Sequence, residues 1–266
     1  MYPNPSQHDP YGSQPGSQSG YSGHPGQSPY GPSYAPGGPS VDPRAQLASG
    51  VDAFMTRVNV WMAAGVGVTG LVAFLVSLDP ALVRTLLLTP LRWVVFLAPL
   101  VLVFVVASRV HKMSSGAAIG VFLAYAALNG LAFSSIFLVY SLGSIASVFA
   151  VTTAMYGSLA LWGYVTKRDL SAWGKFLFMG LIGLIFSGLF FMFVPGVMGS
   201  VAFLAYNIIG VLIFAGLTAY DTQKIKQIYL VNGGGGNLAI RGALELYLDF
   251  LNLFLFLLRL FGGGRD

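Results

Sequence analysis

The chain has 266 residues, of which 55% are hydrophobic and only 9% are Asp, Glu, Lys or Arg, against roughly 25% charged residues in a soluble domain. So little charge excludes an ordinary soluble globular protein and makes lipid the expected solvent. The absence of cysteine excludes disulfides, a thiolate nucleophile and Cys-ligated metal, and the net charge of +5 falls between apolar runs, where it reads as membrane topology rather than nucleic-acid binding.

Residues 1–49 form a tail rich in Gly, Pro, Ser, Gln and Tyr. Such a stretch buries too little apolar surface to offset its ordering entropy, so disorder is expected. The N-terminus is polar and has no apolar core of a signal peptide, so the first span is expected to act as an uncleaved anchor. A span needs ~20 apolar residues. Val58–Leu78 carries no charge and is the first expected span. Trp93–Ser108, bounded by Arg92 and Arg109, is the second, and Pro99 predicts a kink in it. Met113–Thr166 is charge-free and too long for one span, and Ser141-Leu142-Gly143-Ser144 divides it into the third and fourth. Phe176–Tyr220, also charge-free, splits at Val194-Pro195-Gly196 into the fifth and sixth. Ile240–Phe261 is the seventh, unusual in carrying Arg241, Glu245, Asp249 and Arg259. The expected layout is an all-α, seven-helix transmembrane domain over 50–262, with a short C-terminal tail at 263–266.

Loop charge orients the bundle. With the N-terminus inside, the cytoplasmic segments hold Arg44, Arg57, Arg109, Lys112, Lys167, Arg168, Lys175, Lys224, Lys226 and Arg241, against Arg84, Arg92, Arg259 and Arg265 opposite. The excess favours a cytoplasmic N-terminus. The C-terminus is outside if the last run fully crosses.

Two glycine patterns imitate nucleotide sites. Gly65-Val66-Gly67-Val68-Thr69-Gly70 matches a dinucleotide fingerprint but lies inside an apolar span, without the strand that the motif requires. Small residues there, and at Gly116 and Gly120, are expected to let helices approach closely. Gly233–Gly236 lacks a following Lys-Ser/Thr and is read as a turn.

The informative residues are acids near or within spans, because an intramembrane carboxylate is costly. At 100° per residue, Arg241, Glu245, Asp249, Asn252 and Arg259 fall within an arc of about 80°. Asn207, Gly210, Thr218 and Asp221 form a similar stripe on the sixth span. A polar stripe in lipid must face protein or a water-filled cavity. Asp221 precedes the glycine turn by 12 residues and Asp249 follows it by 13. As an antiparallel hairpin, the helices would bring the two carboxyls level, ~18–20 Å from the turn. Two close carboxylates in low dielectric titrate as a unit. That chemistry suits a proton switch, a hard-cation ligand for Ca2+, or an acid/base dyad, with Asn and Thr supplying further oxygens.

Ala219-Tyr220-Asp221-Thr222-Gln223-Lys224-Ile225-Lys226 and Ala243-Leu244-Glu245-Leu246-Tyr247-Leu248-Asp249-Phe250-Leu251-Asn252-Leu253-Phe254 resemble the signatures of the Bax inhibitor (transmembrane Bax-inhibitor-motif) family, bacterial branch, over roughly residues 50–262. The resemblance implies seven helices around a central last one. It implies a pH-sensitive Ca2+ leak through the cytoplasmic membrane, gated by a di-aspartyl pair matching Asp221 and Asp249, which would also ligate Ca2+ in passing. It further implies a basic latch at the inner end of the second span, for which Arg109 is the candidate and His111 and Lys112 the neighbours in play. Glu245, Asn252, Asn207 and Thr218 are accessory candidates. No cofactor other than Ca2+ as permeant ion is expected, and no enzymatic activity. An intramembrane aspartyl protease shares the Tyr220-Asp221 pattern, but Leu248-Asp249 departs from its Gly-x-Gly-Asp half. The alternative is a non-conducting regulator that binds a membrane protease or another membrane complex. The expected partners are thus the lipid bilayer and such a membrane protein, with no nucleic acid.

Overall fold

The computed structural model describes residues 42–109, 113–194, 196, 199–235 and 237–264. Among them the chain is all-helical, without a strand. Two Asp-Pro pairs start the first helices. Asp42 accepts a hydrogen bond from the Arg44 amide at 2.9 Å and Pro43 opens α1 (Pro43–Ser77). Asp79 accepts from Ala81 at 2.9 Å and Leu82 at 3.1 Å, and Pro80 opens α2 (Pro80–Leu88). An acidic cap followed by proline satisfies orphan amides and presets the first helical φ.

Thr89 before Pro90 is extended, as the proline ring requires. The chain therefore bends, and α3 (Leu91–Arg109) leaves at 85° to α2. Then follow α4 (Ser115–Phe133), the single turn α5 (Ile136–Val139), α6 (Leu142–Val165), α7 (Ser171–Phe193), α8 (Ser200–Asn232) and α9 (Leu238–Phe261). Gly233, at φ 70°, ends α8 in the left-handed conformation that glycine adopts without strain.

Several boundaries differ from expectation. The first helix begins at Pro43, so residues 43–49 belong to it rather than to the tail; residues 1–41 lie outside the described part. Its 35 residues extend ~52 Å, well beyond a ~30 Å hydrocarbon core. The helix α2 was not anticipated. Ser141 is not mid-turn but the cap of α6, its hydroxyl accepting from the Ser144 amide at 3.2 Å. Pro195, Gly236 and Arg265 lie outside the described residues. Gly116 and Gly120 make no close approach, since a Cβ there would meet nothing within 4 Å, whereas one at Gly65 would press on Phe122 and Tyr247.

Five stretches are long and apolar enough to cross a membrane, namely α1, α4–α5, α6, α7 and α8, and the bent α2–α3 pair makes up to a sixth. Their outward faces are apolar: Phe176, Met179 and Phe186 of α7 are 69%, 71% and 67% exposed. The protein is therefore a polytopic helical membrane protein, with lipid where a soluble protein meets water.

The charged helix α9 stands apart. It packs against α8, α1, α6 and α4, with Ala243, Leu246, Tyr247 and Leu253 fully buried. A helix bearing four charges needs protein around it, and its ends are fastened. The Asn237 side chain donates to the Met113 carbonyl at 2.6 Å, beside the start of α4. At the other end the Gly263 amide donates to the Ser144 hydroxyl at 2.6 Å and the Ser141 amide to the Gly263 carbonyl at 3.3 Å, beside the start of α6.

Midway, the Tyr247 hydroxyl lies 2.7 Å from Thr69 Oγ1, which shares its own proton between the carbonyls of Gly65 at 3.0 Å and Ala126 at 2.9 Å. One hydroxyl pair thus ties α1, α4 and α9. Interhelical hydrogen bonds of this kind are worth about 0.6–2 kcal/mol. Tyr247→Phe, which keeps the ring against Phe122 and Tyr125, is expected to lower the thermal midpoint in detergent by a few degrees without changing helix content by circular dichroism.

Candidate functional site

The helices α8 and α9 form an antiparallel hairpin around Gly233. This brings together Asp221 and Lys224 of α8 with Arg241, Glu245 and Asp249 of α9. Lys224 Nζ lies 2.9 Å from Glu245 Oε2 and 3.3 Å from Asp221 Oδ1, and Arg241 Nε lies 3.3 Å from Glu245 Oε1. The two partner acids are largely buried, with side chains 14% (Asp221) and 21% (Glu245) exposed, whereas that of Lys224 is 34% exposed. Asp249 is more deeply placed, at 4% exposure. Its carboxyl interacts with those of Asp221 and Glu245. Its Oδ2 is buried without a hydrogen-bond partner among the described residues, and so is the hydroxyl of Tyr156 on α6, which also interacts with Asp249.

The hairpin is anchored from the side. Gln223 accepts from the Leu170 amide at 2.9 Å and donates to the Arg168 carbonyl at 2.8 Å, clamping the α6–α7 connection onto α8. Lys226 donates to the Tyr164 carbonyl at 2.9 Å. These bonds fix the axial position of α8 and hence the height of Asp221. In that connection the exposed Asp169 carboxylate accepts from the Ser171 amide and side chain, which holds its pKa below the usual value.

The candidate residues separate into two groups. Asp221, Glu245 and Asp249 converge. Asn207, Thr218 and Asn252 bond into their own helices, to the carbonyls of Phe203 at 2.7 Å, Phe214 at 2.8 Å and Leu248 at 2.8 Å. Such back-bonding occupies one donor of each, and the buried Asn207 Oδ1 has no partner among the described residues. Arg109 is exposed at the last turn of α3, a helix that packs on α2 and α4, and forms no ion pair with either aspartate. His111 and Lys112 lie outside the described residues. The cation beside the pair is Lys224, whose spacing of three residues from Asp221 marks it in sequence as a helical neighbour, although its loop-side position also fits a purely topological charge. Tyr156 gave no such signal, because its neighbour lies on another helix.

Chemically, two buried carboxyls held together ionise together only at high cost, so the pair either shares a proton or has a cation beside it. The cluster supplies one such cation, Lys224, on the Asp221–Glu245 side. Among the described residues no group of three or more His, Cys, Asp or Glu is arranged to hold a metal ion. A divalent ion would have to displace the ammonium to reach both acids.

Comparison with known proteins gives this site a context. The family described as "Inhibitor of apoptosis-promoting Bax1" matches residues 51–266. The inner membrane protein YbhL of Escherichia coli strain K12 is 43% identical over 236 residues, covering 85% of this chain and 98% of that protein. An uncharacterised protein of Deinococcus radiodurans is 42% identical over 220 residues, covering 81% and 92%, and YrjE of Lactococcus lactis 38% identical over 233 residues, covering 83% and 96%. A family match of this extent, running from within α1 through the whole Asp221–Asp249 hairpin, makes the chain a member of the Bax inhibitor family.

Proposed function

We propose that this protein is a pH-sensitive Ca2+ leak channel of the cytoplasmic membrane, in which the Asp221–Asp249 pair controls conduction. The observation that carries the reading is the convergence of three acids and one ammonium on the α8–α9 hairpin, with Asp249 buried and one of its oxygens unpartnered. Lys224 acts as the latch, because it neutralises Asp221 and Glu245 while the path is closed. Ca2+, which takes only oxygen ligands, competes for the same carboxylates, and so do protons.

The bundle has seven spans in this reading, with α9 as the seventh and innermost. Its 24 residues reach ~36 Å, enough for a ~30 Å core. Its ends are bound to the starts of α4 and α6, which supports a full crossing. The N-terminus shares the cytoplasmic side with Lys167, Arg168, Lys175 and Lys226, by the positive-inside rule. The relative named an inner membrane protein is in keeping with that location.

The test is Ca2+ entry into dye-loaded liposomes containing the purified protein, across pH 5–8. Entry above protein-free liposomes supports the channel. Well-folded protein that passes no Ca2+ at any pH contradicts it and favours a non-conducting regulator of a membrane protease or another membrane complex.

A further inference from the structure

The helices α1 and α6 both pack against α8 and α9 but lean apart from each other. Between them lies a cleft of about 1030 Å3, open on one side, with α1 and α6 as walls and Thr222 and Phe250 in its floor. That volume is at the upper end of small-molecule sites, ~300–1,000 Å3. At one end the Tyr164 hydroxyl donates to Asp52, joining the two walls. None of Asp221, Lys224, Arg241, Glu245 and Asp249 lines this space.

Three observations indicate its occupant. First, the depth of the cleft comes from missing side chains: a Cβ on Gly67, Gly70 or Gly157 would meet nothing within 4 Å. Second, its polarity is graded along its length. Asp52, Thr56, Asn59 and Tyr164 mark one end, and Leu71 and Phe149 the other. Beside the polar end the Lys226 ammonium is held 4.5 Å above the Tyr164 ring, a cation available to a phosphate. Third, both walls are helices apolar enough to span, so the open side of the cleft faces bilayer. A groove that is apolar at membrane depth and polar at one end, with the Asp52 carboxylate in its lining and the Lys226 ammonium beside it, has the polarity of a phospholipid with its zwitterionic headgroup.

We propose that the α1–α6 cleft holds one acyl chain of a bilayer phospholipid, with the headgroup at the Asp52–Tyr164 end. The chain lies over Phe250 and Tyr156. Tyr156 lines the cleft and interacts with Asp249, so the bound lipid covers the side on which Tyr156 meets the aspartate. This site does not depend on Ca2+ conduction.

The test uses full-length protein in liposomes doped with a zwitterionic phosphatidylethanolamine bearing a photoreactive diazirine on its acyl chain, with crosslinked peptides mapped by mass spectrometry. Crosslinks several-fold enriched at Thr153, Gly157 and Ala160 over the outward face of α7 at Met179 and Phe186 are expected. Even labelling of both faces overturns the proposal. Gly157→Leu, whose new side chain enters open space, is expected to abolish the enrichment, and its persistence would count against the site. A second measurement exploits the lack of native cysteine. Thr153→Cys is expected to resist a charged, membrane-impermeant thiol reagent, and rapid modification would mean that the cleft is filled with water instead.

Discussion

Lys224→Met is expected to lower the thermal midpoint in detergent and to raise Ca2+ entry at neutral pH. The ammonium lies between Asp221 and Glu245 at 3.3 and 2.9 Å, and removing it leaves three acids facing one another with, among the described residues, only Arg241 paired to Glu245. Hydrogen bonds to charged groups contribute roughly 1.5–3 kcal/mol. Because the Lys224 side chain is one-third exposed, water recovers part of that, and a loss of about 1–2 kcal/mol is expected. Lys224→Arg retains the charge and is expected to stay near wild type. The sign is checked by a double-mutant cycle. Glu245→Gln should cost less in the Lys224→Met background than in wild type, because the repulsion that it relieves exists only there. Equal costs in the two backgrounds would show that Lys224 and Glu245 do not act as a pair.

Gly163→Ala is expected to destabilise although alanine is the better helix former. At Gly163 the helices α6 and α8 touch backbone to backbone. An added Cβ would fall on the Ala219 carbonyl oxygen and within 2.9 Å of its carbonyl carbon and Cα, atoms that cannot rotate away. Overpacking of this kind costs typically 1–3 kcal/mol, which outweighs a gain in helix propensity of about 1 kcal/mol. Six residues earlier in the same helix, Gly157→Ala meets open space and is expected to be neutral or stabilising. The pair of thermal midpoints therefore has opposite signs. A stabilised Gly163→Ala would mean that α6 and α8 do not approach as closely as described.

Much of the architecture was legible in the sequence, because a charge-free run long enough to span leaves a chain in lipid little choice but helix. The level placement of Asp221 and Asp249 was legible for a similar reason. Helical rise is constant, so 12 and 13 residues on either side of a glycine turn put both acids at one height. The less visible features depend on contacts between distant segments. The early start of α1 and the existence of α2 follow from Asp42-Pro43 and Asp79-Pro80, short capping signals that hydropathy runs overlook. Gly65 and Gly163 make close helix contacts, while Gly116 and Gly120 make none, and spacing alone cannot say which face of a helix meets a neighbour. Lys224 looked like a topological charge until the hairpin placed Glu245 across from it. Tyr156 acquires its significance only when α6 is laid beside α9.

The most direct test of the central claim is the pH profile of Ca2+ entry into liposomes for wild type and for Asp249→Asn, which keeps the side-chain size and removes the titrating group. If the aspartate pair controls conduction, the wild type passes Ca2+ in a pH-dependent way and Asp249→Asn, equally folded, loses or shifts that dependence. An Asp249→Asn profile that overlies the wild-type profile across pH 5–8 would contradict the assignment.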